Sequence, residues 1–555
     1  MENPMPLFNF PNLIFGNGNI HGTNRNDLII GSFGDDYVNA KDGNDLVFGL
    51  SGDDKLAGGL GDDTMFGGAG DDTVEGGNGE DYLSGGSGDD IVVGNKGNDE
   101  MFGGRGDDLL VWNNGDGSDL MDGGDGYDIQ QVNFDTDLVN NDLQNDDVAE
   151  FSVTDEGIQF ARIEVNGQTE AGLFQLDIRN TEVQETNFGG GDDTAVITGD
   201  VLNEIKLDLD GGDGVDTLDL SQAAEAVKVN LKKGTLNDAH AVNFENVVGT
   251  AFDDKIIGDN GANVLSGQNG DDKLVGRGGD DTIIGNKGND EMFGGRGDDL
   301  LVWNNGDGSD LMDGGRGYDI QQVNFDTDLV NDDLQNDDVA EFFVTDEGIQ
   351  FARIEVNGQT EAGLFQLDIR NTEVQETNFG GGEDTAVITG DVLNEIKLDL
   401  DGGDGVDTLD FDQASGPISV NLETGAIEID NGAGQDASAV NFENVTGTDS
   451  NDVIVGNDLD NVIRGGAGDD IMSGGKGADT FVFFEEDIGV DVILDFEVGV
   501  DQLAFLTTDP DVTTENLLAN LSQVGDDVEL AFNDKVITFE DAVVTDFGAD
   551  DFMIA

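Results

Sequence analysis

From Asp36 to Asp108 an aspartate returns at every ninth residue: Asp36, Asp45, Asp54, Asp63, Asp72, Asp81, Asp90, Asp99 and Asp108. Two places before each stands a glycine (Gly34, Gly43, Gly52, Gly61, Gly70, Gly79, Gly88, Gly97, Gly106). Two places after each stands an apolar residue (Val38, Val47, Leu56, Met65, Val74, Leu83, Val92, Met101, Leu110). GGAGDDTVE, from Gly67, is the unit nearly undiluted. Carboxylates at a fixed period, each preceded by glycine, are suited to holding hard cations. Paired-carboxylate acid–base chemistry is uninformative here, because aspartates are everywhere.

The first six residues of the unit form a turn, since glycines accept positive φ and let carbonyls face inward at no steric cost. The remaining three form a very short strand with one apolar side chain pointing in. A flexible acidic linker would lack that phased apolar position. Ca²⁺ takes six to eight oxygens at about 2.3–2.6 Å in tolerant geometry, whereas Mg²⁺ keeps its waters and demands an octahedron. Turn carbonyls plus one carboxylate supply half such a shell, and the neighbouring turn supplies the rest. One apolar residue in nine makes a thin core, so the ion must carry much of the cohesion.

A second array runs from Gly249 to Val302, with Asp254, Asn263, Asp272, Asp281, Asp290 and Asp299 at the sixth place. A third runs from Gly447 to Val482, with Asp452, Asn461, Asp470 and Asp479. Asn263 and Asn461 keep an oxygen ligand without its charge, so weaker sites are expected there. Out-of-phase blocks add Asp119, Asp128, Asp310 and Asp319, and single blocks add Asp216 and Asp407.

A larger duplication overlies the small one. Residues 94–219 and 285–410 match, differing only at Asp125/Arg316, Asn141/Asp332, Ser152/Phe343 and Asp192/Glu383. Using one module twice suits a scaffold or a multivalent surface better than a catalytic site. Each module carries a spacer, near 132–188 and 323–379, whose alternating segments such as AEFSVTDEGIQFARIEVNG predict strands. A short helix is possible near 137–147, and TTENLLANLSQV predicts a brief helix capped by Thr513 or Thr514. The expected organisation is a lead-in (1–30), a first repeat array (31–131), a spacer (132–248), a second array (249–322), a second spacer (323–446), a third array (447–482) and a tail (483–555).

With 23 basic and 121 acidic residues the formal charge is −98. That opposes nucleic-acid binding, which needs basic patches, and binding to anionic membranes. Without cation the chain should repel itself, so folding and metal binding become one event. There are no cysteines, so no disulfides. The start, MENPMPLFNFPNLIF, lacks the basic and apolar regions of a Sec-type signal, and no window is apolar enough for a spanning helix.

The arrays resemble the RTX (repeats-in-toxin, hemolysin-type) calcium-binding proteins. NFENVVGTAFDDKIIGDN and NFENVTGTDSNDVIVGN look like the way such arrays begin, and GGKGADTFVFFEEDIGVDVILDFEVGVDQL like the way they end. The resemblance implies an all-β chain, a parallel β-roll or β-solenoid with two repeats per turn and calcium between successive loops. It implies ligation by the sixth-place residues above and by turn carbonyls, among them those of Gly59, Gly61, Gly68, Gly70, Gly77, Gly79, Gly86, Gly88, Gly104, Gly106, Gly295, Gly297, Gly466 and Gly468. It also implies type I secretion guided by a C-terminal signal, which VVTDFGADDFMIA resembles.

Other chemistry is poorly supported. His21 and His240 are the only histidines, so H-E-x-x-H is impossible; G-x-S-x-G and a Walker motif are missing. His240 is expected in a loop. Trp112 and Trp303, with Tyr127 and Tyr318, are expected as packing anchors rather than sugar platforms. The expectation is therefore a non-enzymatic, secreted structural protein of a bacterial surface (S-layer, sheath or fibril) that binds calcium and its own copies. The alternative is a calcium-dependent adhesin whose spacers grip polysaccharide or another surface.

Overall fold

The computed structural model describes residues 12–134, 147–154, 157–165, 174–325, 338–345, 348–356, 365–429, 437–485, 487–532 and 535–555. The chain divides into two compact units, Met1–Lys273 and Leu274–Ala555.

In the first unit every nonapeptide yields a strand: Lys55–Leu60, Thr64–Ala69, Thr73–Asn78 and Tyr82–Ser87 are four in succession. They are six residues long, not three, because each runs on through the glycines of the next block. Pairing is parallel and skips one block: Leu56 faces Val74, and Met65 faces Leu83. Two repeats therefore complete one turn, and alternate blocks build two sheets, a parallel β-roll. Val47, Met65, Val74, Leu83, Val92, Met101 and Leu110 are wholly buried between them. One side chain per strand fills this narrow interior, and at the close-approach positions nothing larger than hydrogen fits. A Cβ on Gly58 would lie 2.3 Å from Asp63 Oδ2 and 2.5 Å from the Gly76 carbonyl oxygen.

The first spacer is strand, as its alternation predicted, and it continues the roll. Phe174–Arg179 pairs in parallel with Leu120–Asp125, and Val183–Asn187 with Ile129–Asn133. A meander is inserted in the same sheet: Asp147–Thr154 runs antiparallel to Gly157–Val165, which runs antiparallel to Phe174–Arg179. Residues 137–146 of the possible helix lie outside the described residues, and Asp147 opens a strand. The spacer's interior is aromatic. Phe151 and Phe160 pack at 4.7 Å between ring centroids, and Phe134 stacks on Phe188 at 5.2 Å.

The second unit repeats this plan. Thr282–Lys287 pairs in parallel with Leu300–Asn304, and Asp338–Thr345 with Gly348–Val356 and Phe365–Arg370 forms the second meander. Beyond residue 482 the parallel pairing goes on, with Phe481 facing Leu503 and Met472 facing Ile493. The helix foreseen in the tail spans Thr514–Ala519, with the Thr513 hydroxyl accepting the Asn516 N–H as an N-cap. It stops at Asn520, and LSQV becomes the strand Leu521–Val524 of an antiparallel sheet.

Candidate metal centre

The turn aspartates form two buried columns, one at each edge of the roll. The Asp45 N–H donates to Asp63 Oδ1 (2.8 Å), Asp63 N–H to Asp81 Oδ1 (2.7 Å) and Asp81 N–H to Asp99 Oδ1 (2.8 Å). Opposite, Asp36, Asp54, Asp72 and Asp90 donate in the same way to Asp54, Asp72, Asp90 and Asp108 at 2.7–2.8 Å. One carboxylate oxygen thus clips each turn to the next. The other, Oδ2, is buried and meets no hydrogen-bond donor in Asp45, Asp54, Asp63, Asp72, Asp81, Asp90, Asp99, Asp108, Asp119 and Asp128. The same holds for Asp216, Asp299, Asp319, Asp407 and Asp470.

Buried oxygens facing oxygens are unfavourable unless a proton or a cation lies among them. Burial raises the carboxyls first, and neighbouring carboxylates add to it against the opposing backbone hydrogen bond. Asp63 goes up from 3.8 to about 8, and Asp90 to about 7. The donor set is carboxylate plus carbonyl oxygen, with no nitrogen or sulfur, and suits Ca²⁺. Gly59, Gly61, Gly68, Gly70, Gly77, Gly79, Gly86, Gly88, Gly104, Gly106, Gly295, Gly297, Gly466 and Gly468 all have φ between +100° and +141°, the glycine-favouring backbone the turn requires. Among the described residues no group of three or more His, Cys, Asp or Glu side chains could hold a metal. One carboxylate per turn explains this: a shell here must be completed by main-chain carbonyls.

Every sixth-place residue expected to ligate is buried, including Asp254, Asp272, Asp281, Asp290, Asp310, Asp452 and Asp479. The structure also places in the columns residues that the nonapeptide count missed. Asp27 N–H reaches Asp45 Oδ1 (2.7 Å), Asp147 N–H reaches Asp193 Oδ1 (2.7 Å), and Asp193 N–H reaches Asp216 Oδ1 (2.8 Å). Asp384 N–H likewise reaches Asp407 Oδ1 (2.8 Å). At the spacer joints a glutamate substitutes: Asp128 N–H donates to Glu182 Oε2 (2.8 Å) and Asp216 N–H to Glu245 Oε2 (2.8 Å). In the tail Asp491 and Asp501 accept from the Asp470 and Asp479 N–H groups. Gly191, Asp193 and Ala195 carry the unit's fourth, sixth and eighth places, a signal hidden because Phe188 replaces the first glycine. A second, exposed ladder runs at the fifth place, where Asp71 N–H donates to Asp53 Oδ1 (3.0 Å) and Asp89 N–H to Asp71 Oδ1 (3.0 Å).

The aromatic expectations divide. Trp112 and Trp303 are 1% exposed, and each indole N–H donates to a carbonyl (Gly117, Gly308) at 2.9 Å. They are anchors. Tyr127 and Tyr318 are about half exposed, because the fifth place of the turn faces outward. His240 is on the strand Ala239–Val242 rather than in a loop: the two-residue period buries Ala239 and Ala241 and turns the imidazole out toward Asp208 (3.3 Å).

A parallel roll whose glycine turns carry stacked, buried carboxylates defines a β-roll suited to binding calcium. The family profile described as the RTX calcium-binding nonapeptide repeat matches residues 15–47, 40–74, 48–83, 75–110, 244–274, 266–301 and 446–481. The three arrays are thus similar to RTX-type nonapeptide repeats, and such repeats bind Ca²⁺. No curated protein matches it. Among solved structures it is similar to the extracellular lipase LipA from Serratia marcescens, at 18% identity over 62% of this chain, with a TM-score of 0.17. The chain spans 45% of that lipase. It is also similar to a Ca²⁺-dependent, β-helical antifreeze protein from an Antarctic bacterium, at 14% identity over 72% of this chain and 85% of that one, with a TM-score of 0.10. The fold assignment rests on the strand register and turn geometry, not on these superpositions.

Proposed function

We propose that this chain is a secreted, non-enzymatic structural protein of a bacterial surface that folds on calcium and then assembles with its own copies into a layer, sheath or fibril. One observation carries the calcium step: the row of buried Oδ2 atoms without donors, from Asp45 to Asp128. The sixth-place aspartates whose second oxygen lacks a donor, with the turn carbonyls, hold the ions, which supply the positive charge that stacked carboxylates need. Assembly is supported by the near-identical modules, which present the same spacer twice in one chain, so one contact can recur between chains. Proteins with these repeats are typically secreted. Calcium outside the cell would fold the rolls and neutralise part of the −98 charge.

Static light scattering with parallel electron microscopy tests this. Scattering rises on adding millimolar-scale Ca²⁺, ordered filaments or sheets form, and EGTA reverses both. Folded chains that stay monomeric at high concentration and bind polysaccharide would replace the structural reading with the adhesin.

A further inference from the structure

We propose that the opening turn of each array is built to do without calcium, its carboxylates closed by a threonine, serine or asparagine. This rests on the calcium reading above and narrows where the ions go. In the interior of an array the second place of the block is usually glycine with positive φ, as at Gly59, Gly68 and Gly77, and the sixth-place Oδ2 has no donor. The turns of Asp27 and Asp36, where the roll begins, and the first two blocks of the second and third arrays differ in both respects.

In the third array Thr448 N–H donates to Asp452 Oδ2 (2.6 Å), and the Thr448 hydroxyl lies 3.1 Å from both carboxylate oxygens. In the second, Thr250 N–H reaches Asp254 Oδ2 (2.6 Å) and its hydroxyl reaches Oδ1 (2.9 Å). Thr23 and Ser32 do the same for Asp27 and Asp36, with N–H to Oδ2 at 2.5 and 2.6 Å. The other corner of the turn is closed by an amide. Asn263 Oδ1 accepts the Asp259 N–H (2.9 Å) while its Nδ2 donates to the Glu245 carbonyl (2.9 Å). Asn461 repeats this with the Asn457 N–H (2.8 Å) and the Glu443 carbonyl (2.8 Å). The side-chain amide thus takes the carbonyl that in an interior turn accepts the seventh-place N–H, as the Asp45 carbonyl accepts from the Thr64 N–H (2.9 Å). None of Thr23, Ser32, Thr250, Asp259, Thr448 and Asn457 has positive φ.

The stacking explains why. A calcium shell of six to eight oxygens draws here on two nonapeptide loops, one above the other. Beneath Asp254 lies Val227, whose N–H donates to Asp254 Oδ1 (2.7 Å); beneath Asp452 lies Ile418 in the same role (2.8 Å). No nonapeptide loop completes a shell there. An uncompensated buried carboxylate would be costly, and local donors take its second oxygen instead. Asn263 and Asn461, first read as weak sites, thereby become non-sites, as do Asp36, Asp254 and Asp452.

The test counts calcium bound per full-length chain, by equilibrium dialysis and atomic emission, with far-UV circular dichroism at saturating Ca²⁺ as the folding check. Asp254→Asn and Asp452→Asn keep the wild-type count, whereas Asp299→Asn and Asp470→Asn each lower it. Asparagine is already accommodated at the sixth place, at 263 and 461. Thr448→Val lowers the melting temperature at saturating Ca²⁺ without changing the count. Loss of an ion from Asp254→Asn and Asp452→Asn, equal to that from Asp470→Asn, overturns the proposal and leaves the calcium reading standing. A wild-type chain that folds without binding calcium overturns both.

Discussion

Two stretches of the first unit close the same kind of roll with opposite chemistry. Between Lys55 and Arg105 each strand contributes one aliphatic or methionine side chain to the core, and its turn buries a carboxylate lacking a second partner. Between Asp147 and Gly199 the core holds Phe151, Phe160 and Phe188, and the inserted meander widens it. Burying a phenylalanine contributes about 1.5–3 kcal/mol, and the aromatic contacts add roughly 0.5–1.5 kcal/mol. The array buries only one comparable side chain per nonapeptide and no aromatic ring in its interior between Lys55 and Arg105, so it depends on ions to hold its turns. The lesson is that register can be kept by electrostatics or by packing, and that this chain alternates between them.

The largest test of that contrast is calcium withdrawal. Far-UV circular dichroism in chelator should lose most of the β signal. Hydrogen exchange during stepwise withdrawal should expose 55–105 first and the spacer strands Phe174–Arg179 and Val183–Asn187 last. Simultaneous loss everywhere would break the comparison, making array and spacer one cooperative unit.

Next come two substitutions that should separate the mechanisms. Phe160→Ala removes a buried ring from the spacer and should cost about 3–5 kcal/mol at saturating Ca²⁺, with little change in the calcium needed to fold the array. Asp63→Asn keeps the clip to the turn below through Oδ1 but removes a charge. It should raise the calcium midpoint of folding several-fold and leave the spacer's exchange unchanged. If both variants move the calcium midpoint equally, the division of labour is wrong. Gly58→Ala sharpens the same point: its Cβ would sit 2.3 Å from Asp63 Oδ2 and 2.5 Å from the Gly76 carbonyl oxygen. The added methyl occupies the space facing those oxygens, so calcium affinity should fall as it does for Asp63→Asn.

Much of this was legible in the sequence, and the reason is the period. Gly, Asp and an apolar residue at fixed places specify turn, ligand and core, and the parallel roll followed from the resemblance. The spacer strands were legible from alternation, but not that they continue the roll. Phe188, standing where a glycine was expected, hid Asp193, and glutamates at 182 and 245 reach the column only through their longer side chains. The outward turn of Tyr127 and the strand at His240 depend on which face a residue takes, which the stacking decides.

The smallest expected effect is of protons, and it acts wherever buried carboxylates stack. In the metal-free roll, burial raises the Asp63 carboxyl from 3.8 to about 8 and Asp45 to about 7, while no spacer phenylalanine titrates. A raised folded-state value means the folded chain holds the proton more tightly than the unfolded one. The stabilisation is therefore complete below about 3.8 and is lost as pH rises through about 8 for Asp63. Between pH 8 and 6 ordinary surface carboxylates stay ionised, so their repulsion hardly changes in that window. Metal-free protein should then gain β signal modestly as pH falls from 8 to 6, with hydrogen exchange placing the gain in 37–105 and at the turns of Asp119, Asp216, Asp407 and Asp470. With calcium present the sign reverses, because protons and Ca²⁺ compete for the same oxygen, and the calcium midpoint should rise over the same interval. A β signal that is flat with pH in metal-free buffer, together with a pH-independent calcium midpoint, would mean the buried carboxylates keep their ordinary affinity. The array's dependence on cations would then need another cause.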